Sequence, residues 1–271
     1  MITIVGLRKP KQPVAGLEGA GIVEAVGPGV RRLRVGDAVF GWFSGAFAEY
    51  AAVPEDQLTA TPAKVTFEQA AAVPISGFAA LQAVRDRGQV RSGHEVLVLG
   101  ASGGVGSLAV QIAKHLGARV TGVASSRNVE LVRSLGAENV VDYTSESIGS
   151  RGQIYDVIID IAGNRPLAEL RAALTPEGTL VIVGGTGGSA TMGFGRTVRA
   201  VMMSPLTGQR LIALFSKPNL PDLDTLRDLL ESGAISPVVS QVSPLNDAPA
   251  VVEQLGTGRS SGKRVIEVGS A

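Results

Sequence analysis

Residues 95–127 read EVLVLGASGGVGSLAVQIAKHLGARVTGVASSR, and this stretch decides the fold. It begins with a run of alternating valine and leucine, which predicts a buried parallel strand. A glycine-dense turn follows, and residues 107–116 then carry apolar side chains at helical spacing. Gly117 ends this helix, and residues 119–123 form the next strand. The order of strand, glycine turn, helix and strand predicts one βαβ unit of the kind that binds a dinucleotide.

The glycine turn has the composition of a pyrophosphate-binding loop. Small residues let the backbone approach a pyrophosphate, and the amides at the start of the helix then face the anion. Ala101, Gly103 and Gly106 occupy the three small positions of a G-x-G-x-x-G fingerprint, with alanine in the first. The alternative is a tight strand-to-helix turn that binds nothing. The predicted contact residues of this turn are Ala101, Ser102, Gly103, Gly104, Val105 and Gly106.

The end of the second strand indicates which nucleotide is bound. A site for NAD usually has Asp or Glu about 20 residues after the glycines, where it accepts hydrogen bonds from the ribose hydroxyls. Ser125, Ser126 and Arg127 stand there instead, and residues 124–128 include no acid. A cation and two hydroxyls suit a 2′-phosphate, so we predict NADP(H) rather than NAD. The alternative is that the two serines merely cap the helix that begins near Asn128, and the two roles are compatible.

Composition limits the other classes of site. The chain has 271 residues, 35 of them glycine, and a 45% hydrophobic content typical of an α/β protein. It contains no cysteine, which excludes disulfides, iron–sulfur clusters and thiolate zinc sites. A net charge of +1 argues against nucleic acid as a partner. No apolar run reaches the roughly 18 residues of a membrane span, and the first residues lack the apolar core of a signal peptide. We therefore expect a cytoplasmic protein.

Three short segments before the βαβ unit predict strands at residues 16–27, 35–43 and 46–53, and hence a small antiparallel β module. The predicted fold class is α/β: a doubly wound parallel (Rossmann) sheet with a smaller, incomplete antiparallel β module. Residues 196–215 are apolar with interspersed arginines, which predicts a helical lid or an interface with a second subunit. A membrane-surface helix is a third reading of the same residues.

We predict a dinucleotide-binding domain at residues 67–239. Residues 1–66 plus 240–271 form the β module of the prediction, and the cleft between the two would hold the nicotinamide and the substrate.

The chain resembles the zinc-free, quinone-oxidoreductase-like branch of the medium-chain dehydrogenase/reductase superfamily. The resemblance runs from about Gly16 to Val268. Its motifs are GLEGAGIVEAVGPGV (16–30), VGDAVFG (35–41), GAFAEY (45–50), LVLGASGGVGSLAVQIAKHLGA (97–118), SSRNVELVRSLGAENVVDY (125–143), YDVIIDIAGN (155–164), LTPEGTLVIVGG (174–185) and GRSSGKRVIEV (258–268). It implies an NADPH-dependent oxidoreductase that transfers hydride to a quinone or another conjugated carbonyl. An enoyl-thioester or 2-enal reductase, or a non-catalytic NADPH-binding protein, are the alternatives.

The resemblance also implies further site residues, although no acid–base pair or nucleophile stands out and the catalytic residues stay unknown. Tyr143 would flank the adenosine phosphate, and Arg259 would reach the same phosphate. The pairs Ala162-Gly163 and Gly184-Gly185 would lie beside the nicotinamide and its ribose, unless they serve turn geometry alone. The predicted substrate-pocket residues are Trp42, Phe43 and Ser44. An equally supported alternative is that the side chains of Trp42 and Phe43 belong to the core of the β module.

Two departures from the family stand out. Zinc enzymes of the superfamily carry G-H-E where this chain has Gly16, Leu17 and Glu18, so we predict no zinc, and we expect Glu18 to pair with a nearby arginine. His94 and His115 are expected at the surface. Only about 15 residues precede Leu17, so the family's first strands and its Asn-Pro substrate segment are expected to be absent. The family often dimerises by joining two sheets edge to edge, which predicts a homodimer.

Overall fold

The structure is a computed structural model that describes residues 14–149, 152–184, 200, 204, 208–255 and 261–269. The chain divides into two units by its contacts. One is the continuous stretch Ser76–Lys217, and the other combines the chain up to Ile75 with the chain from Pro218 onwards. None of the helices in the described ranges is both long enough and apolar enough to cross a membrane.

The elements are numbered in chain order over the described residues. The strands are β1 (Glu18–Ile22), β2 (Ala38–Trp42), β3 (Leu58–Ala60), β4 (Glu95–Leu99), β5 (Arg119–Ala124), β6 (Asn139–Asp142), β7 (Tyr155–Asp160), β8 (Leu174–Ile182), β9 (Arg210–Ala213), β10 (Val239–Pro244) and β11 (Lys263–Glu267). The α-helices are α1 (Phe67–Ala71), α2 (Pro74–Leu81), α3 (Gly104–His115), α4 (Val129–Ser134), α5 (Leu167–Ala172), α6 (Leu220–Glu231) and α7 (Ala248–Leu255). A π-helical segment, Gln82–Arg87, directly follows α2.

The six-stranded sheet confirms the predicted doubly wound fold. Its strand order is β6-β5-β4-β7-β8-β9, and every neighbouring pair is parallel. Two half-sheets therefore diverge from the β4–β7 pair, and the strand order reverses there. Ligands of such sheets bind outside the carboxyl ends of the strands at this point. Leu99 pairs with both Val123 and Asp160, so the ends of β4, β5 and β7 meet at one edge.

Burial explains why these segments form central strands. Leu97, Leu99, Ile158 and Leu180 are almost completely buried and belong to one apolar cluster. A parallel sheet with helices over both faces needs apolar residues on both sides of each strand, and runs such as EVLVL and YDVIID supply them.

The other unit contains two small sheets. Strands β1, β2 and β3 form an antiparallel sheet, with Glu18 opposite Trp42 and Val39 opposite Ala60. Strands β10 and β11 form a parallel pair. Helix α6 packs beside β3, where the Thr59 hydroxyl donates to Asp224 Oδ1 at 2.7 Å. The small antiparallel sheet agrees with the predicted β module, whereas the predicted domain boundaries at residues 66 and 239 stay a prediction.

Two predicted elements are wrong. The third strand of the small sheet is β3, not residues 46–53. Before it, Phe43 and Phe47 donate backbone hydrogen bonds to Leu17 and Ala15 outside any regular ladder. Residues 210–213 are strand β9 rather than helix, because this apolar segment pairs in register with the end of β8. Most of residues 196–209 lies outside the described ranges, so the predicted lid cannot be located there.

Candidate functional site

The turn after β4 is fixed by backbone hydrogen bonds. Gly100 has a φ of +78°, a left-handed conformation that glycine adopts without strain. Ala101 N donates to Val123 O at 3.1 Å, which ties the turn to the neighbouring strand. Gly103 N donates to Gly100 O at 3.1 Å and closes the loop just before α3. Of the six residues predicted to contact a pyrophosphate, Ala101, Ser102 and Gly103 therefore belong to this turn, and Gly104, Val105 and Gly106 form the first turn of α3.

Packing requires a glycine at the third fingerprint position. A Cβ on Gly106 would lie 2.0 Å from Gly100 O, so only glycine allows α3 to approach the end of β4 this closely. Gly122 on β5 plays a similar part, since a Cβ there would lie 2.4 Å from Val132 Cγ1 of α4.

The start of α3 suits an anion. Helix α3 begins at Gly104, and its N-cap residue Gly103 provides no side-chain cap. The first amides of a helix have no intrahelical acceptor, and the positive end of the helix dipole favours negative charge. A Cβ on Gly103 would meet one atom within 4 Å, Gly100 O at 3.4 Å, so the glycine leaves the approach open. These features fit the pyrophosphate of a dinucleotide.

Asn128 joins this turn to the end of β5, a role that the sequence analysis missed. Its side chain is buried, and Nδ2 donates to Ser102 Oγ at 3.1 Å and to Ser125 Oγ at 3.4 Å. Neither the short 3₁₀ helix Ser126–Asn128 nor α4 has a side-chain cap. The interpretation of Ser125 and Ser126 as simple helix caps is therefore wrong, and Asn128 links Ser125 to the glycine turn.

An acid also lies beside the predicted 2′-phosphate residues. Asp142 ends β6, the strand next to β5, and its Oδ2 accepts from Ser126 Oγ at 2.6 Å. Its Oδ1 accepts from Thr144 Oγ1 at 2.7 Å and from Thr144 N at 3.0 Å. The hydroxyl of Ser126, followed by that of Thr144, holds the pKa of Asp142 below its ordinary value. A search of residues 124–128 alone could not find this acid, because the neighbouring strand supplies it.

The structure describes some, but not all, of the remaining predicted cofactor residues. The backbone nitrogen of Tyr143 donates to Ala124 O at 3.1 Å, and the residue is exposed. Gly185 and Arg259 lie outside the described residues.

Small residues gather at the ends of the three central strands. A Cβ on Gly100 would lie 3.5 Å from Ala162 N, and a Cβ on Gly184 would lie 2.4 Å from Ile161 O. Gly163 has a φ of +66°, and its nitrogen donates to Asp160 Oδ1 at 2.9 Å. Ala162 thus lies against the β4 turn, while Gly184 packs against the end of β7. Contact of Ala162, Gly163 and Gly184 with a cofactor stays a prediction.

The three predicted substrate residues follow β2 in the other unit. Trp42 ends the strand and pairs with Glu18 across the sheet. The Phe43 ring packs over Gly19, where a Cβ would lie 2.8 Å from Phe43 Cζ. Ser44 is exposed. The packing of Phe43 favours a core role for that ring, while a pocket role for Trp42, Phe43 and Ser44 stays a prediction.

Leu17 and Glu18 occupy the positions of the His and Glu in the G-H-E motif of the superfamily's zinc enzymes. Glu18 accepts from Ile75 N at 2.7 Å and pairs with Lys263 Nζ, so its partner is a lysine and not the expected arginine. Within residues 14–149, 152–184, 208–255 and 261–269, no three His, Asp or Glu side chains gather as a metal site. Of the two histidines, His115 is exposed as expected, whereas His94 is half-buried and its Nδ1 has no partner among the described residues.

A cavity of about 500 Å³ lies at the amino ends of the strands of the six-stranded sheet. Its lining includes Arg91, His94, Asp156, Glu177 and Arg210. This cavity is separate from the glycine turn, which lies at the carboxyl ends.

Comparison with known proteins establishes the family. The alcohol dehydrogenase GroES-like domain model matches residues 2–63, and the zinc-binding dehydrogenase model matches residues 135–266. The chain is 34% identical to the quinone oxidoreductase of Sus scrofa over 276 residues, covering 95% of this chain and 81% of that protein. The chain belongs to the quinone-oxidoreductase-like branch of the medium-chain dehydrogenase/reductase superfamily.

Other members of the superfamily agree in sequence and structure. The chain is 34% identical to a 2-methylene-furan-3-one reductase of Solanum lycopersicum, covering 95% of this chain but only 64% of that protein's length. The quinone oxidoreductase structure from Coxiella burnetii matches with a TM-score of 0.84 and 28% identity, covering 96% of this chain and 81% of that one. The Escherichia coli quinone oxidoreductase, solved in complex with NADPH, matches with a TM-score of 0.80 and 26% identity, covering 93% and 81%.

Proposed function

We propose that the protein is a zinc-independent, NADPH-dependent reductase of quinones or other conjugated carbonyls. The observation that carries this proposal is the uncapped start of α3 in a glycine turn, placed where the order of the parallel strands reverses. The names of the relatives support the same chemistry: two are quinone oxidoreductases, and one from Arabidopsis thaliana is an NADPH-dependent alkenal/one oxidoreductase.

In this proposal the chain mainly binds and orients the cofactor. NADPH supplies the hydride, and the protein provides position and electrostatics. The α3 amides and the small turn residues bind the pyrophosphate, while Arg127 attracts the 2′-phosphate. Ala162, Gly163 and Gly184 leave the ends of the central strands open to the nicotinamide half. Trp42, Phe43 and Ser44 are our candidates for the substrate pocket.

Reduction of enals and enones is the second candidate reaction. It is favoured by the alkenal/one oxidoreductase and the furanone reductase among the relatives. Quinones and enones share an electron-poor double bond conjugated to a carbonyl, so one hydride-transfer site can serve both.

Consumption of NADPH with a panel of quinones, 2-enals and enoyl thioesters tests this function, with titration calorimetry of NADPH and of NADH in parallel. We expect NADPH binding and turnover with at least one quinone or enone. Binding without turnover on any of these substrates would favour a non-catalytic NADPH-binding protein. Failure to bind either NADPH or NADH would refute the proposal. We also propose that the protein acts in the cytoplasm as a homodimer.

A further inference from the structure

The Ser126 hydroxyl, which we predict to contact the 2′-phosphate, already donates to another group. Ser126 Oγ lies 2.6 Å from Asp142 Oδ2. It also lies 2.9 Å from Thr144 Oγ1, but a charged acceptor makes the stronger bond, and Thr144 Oγ1 itself donates to Asp142. A hydroxyl has one hydrogen. Ser126 therefore cannot donate to Asp142 and to a phosphate at the same time.

The same carboxylate places negative charge beside the predicted phosphate position. Because the pKa of Asp142 is lowered, the side chain is ionised at neutral pH. Glu146 brings a second carboxylate, whose Oε1 accepts from Asp142 N at 3.4 Å. A phosphate monoester carries about −1.5 to −2 charges at neutral pH and would be repelled. A ribose hydroxyl, in contrast, finds a hydrogen-bond acceptor in a carboxylate.

We propose that Asp142 weakens the preference for NADPH over NADH by competing with the 2′-phosphate for the Ser126 hydroxyl. Arg127 and Asp142 then act in opposite directions on the same part of the cofactor: the guanidinium favours the phosphate and the carboxylate favours a free ribose. This assignment makes Asp142 a specificity-determining residue on the strand next to the one where such acids usually lie. It rests on the proposed function, since it assumes that the glycine turn binds a dinucleotide.

The substitution Asp142→Asn tests the assignment, because the amide keeps the shape and one acceptor oxygen but removes the charge. Dissociation constants for NADPH and NADH are measured by calorimetry on the full chain. Removing one unit charge near a phosphate corresponds to about a five- to thirtyfold gain in NADPH affinity. We expect that gain, with NADH affinity unchanged or lower. Asp142→Ser, measured in parallel, must shift the ratio in the same direction.

The matched control is Asp156→Asn. Asp156 also accepts a backbone hydrogen bond, from Glu95 N at 2.9 Å, but at the amino end of the sheet. Its substitution should leave the ratio of the two dissociation constants unchanged. An unchanged ratio in both Asp142 variants would overturn the assignment while leaving the proposed function intact, whereas a wild-type chain that binds neither nucleotide would refute both.

A double-mutant cycle tests the competition itself. If Asp142 holds the Ser126 hydrogen, Ser126→Ala should cost little NADPH affinity in the wild-type chain and several-fold more in an Asp142→Ala background, where residue 142 offers no side-chain acceptor. Equal costs in the two backgrounds would mean that the hydroxyl is not contested, and the proposal would be wrong.

Discussion

The absence of a Cβ at Gly106 allows helix α3 to pack against the turn after β4. Helix propensity alone favours alanine over glycine by about 1 kcal/mol. Here the added Cβ would lie 2.0 Å from the backbone oxygen of Gly100, an atom that cannot move without breaking the turn. Steric overlap should therefore outweigh propensity, and we expect Gly106→Ala to destabilise the protein by about 1–3 kcal/mol.

Denaturant unfolding measures this effect. Gly149→Ala is the control, because a Cβ at Gly149 meets no atom within 4 Å. Equal stability of the two variants would show that the close approach of α3 to the β4 turn is not required.

Arg127 is the residue on which we base the preference for a 2′-phosphate. A charge-assisted hydrogen bond contributes about 1.5–3 kcal/mol, or roughly ten- to a hundredfold in affinity. Because Arg127 is exposed, we expect the lower end of this range: Arg127→Gln should weaken NADPH binding about tenfold and leave NADH binding within about twofold.

Titration calorimetry with both cofactors checks this prediction. Arg133→Gln is the matched control on helix α4, where Arg133 pairs with Glu130 at 2.6 Å. An equal loss of NADPH affinity in the two variants would remove Arg127 from the site.

At the scale of elements, one carboxylate connects the loop before β2 to the 3₁₀ helix Glu55–Gln57. Glu55 Oε2 accepts from Arg32 N at 2.9 Å and from Arg31 N at 3.0 Å. These backbone hydrogen bonds, that of Arg32 first, lower the pKa of Glu55 from its ordinary value of 4.5. A folded-state pKa below the unfolded one stabilises the protein above pH 4.5, and this contribution is lost as the pH falls through the lower value.

We therefore expect Glu55→Gln to make stability less dependent on pH in the acid range. Urea unfolding midpoints between neutral pH and about pH 3 give the measurement. Asp56→Asn serves as the control, since Asp56 makes neither of these bonds. A parallel downward shift of the whole curve, with no change of slope below pH 4.5, would contradict the assignment.

The elements that follow a clear local pattern were predictable from sequence. Strand β4, the glycine turn and α3 show the apolar run, the small residues and the helical spacing in one uninterrupted segment. Strand β9 was not predictable in this way. Its four residues sit inside a longer apolar stretch, and only pairing with the end of β8 makes them a strand.

The same limit applies to the candidate site. The glycine turn is local in sequence, so its residues could be named in advance. The contacts of Asn128 with Ser102 and of Ser126 with Asp142 join residues 26 and 16 positions apart. Such contacts depend on the alignment of strand ends across the sheet, and a reading of each segment alone does not reveal them.

At the scale of the whole molecule, we predict that the protein needs no zinc. Leu17 cannot ligate a metal, and the chain contains no cysteine. Elemental analysis of the purified protein should find no stoichiometric zinc, and a chelator should leave its melting temperature and NADPH-dependent turnover unchanged. One zinc per chain, or inactivation that added zinc reverses, would refute this.

We also predict a homodimer. Within the described residues, β9 pairs only with β8, so its other side is a sheet edge that a second copy could cover. The predicted interface segment, residues 196–215, includes β9, so the two candidate surfaces overlap. Light scattering at micromolar concentration should give twice the mass of 27.8 kDa. A monomer mass would count against both surfaces.

The division of the chain has a consequence for its synthesis. One unit is continuous, whereas the other is assembled from segments on either side of Ser76–Lys217. Strands β1–β3 therefore leave the ribosome well before α6, whose Asp224 binds Thr59 of β3. At about 5–20 residues per second, the roughly 140 intervening residues take on the order of ten seconds to make. During that interval the nascent small sheet lacks its later partners, because the continuous unit Ser76–Lys217 is the part being made.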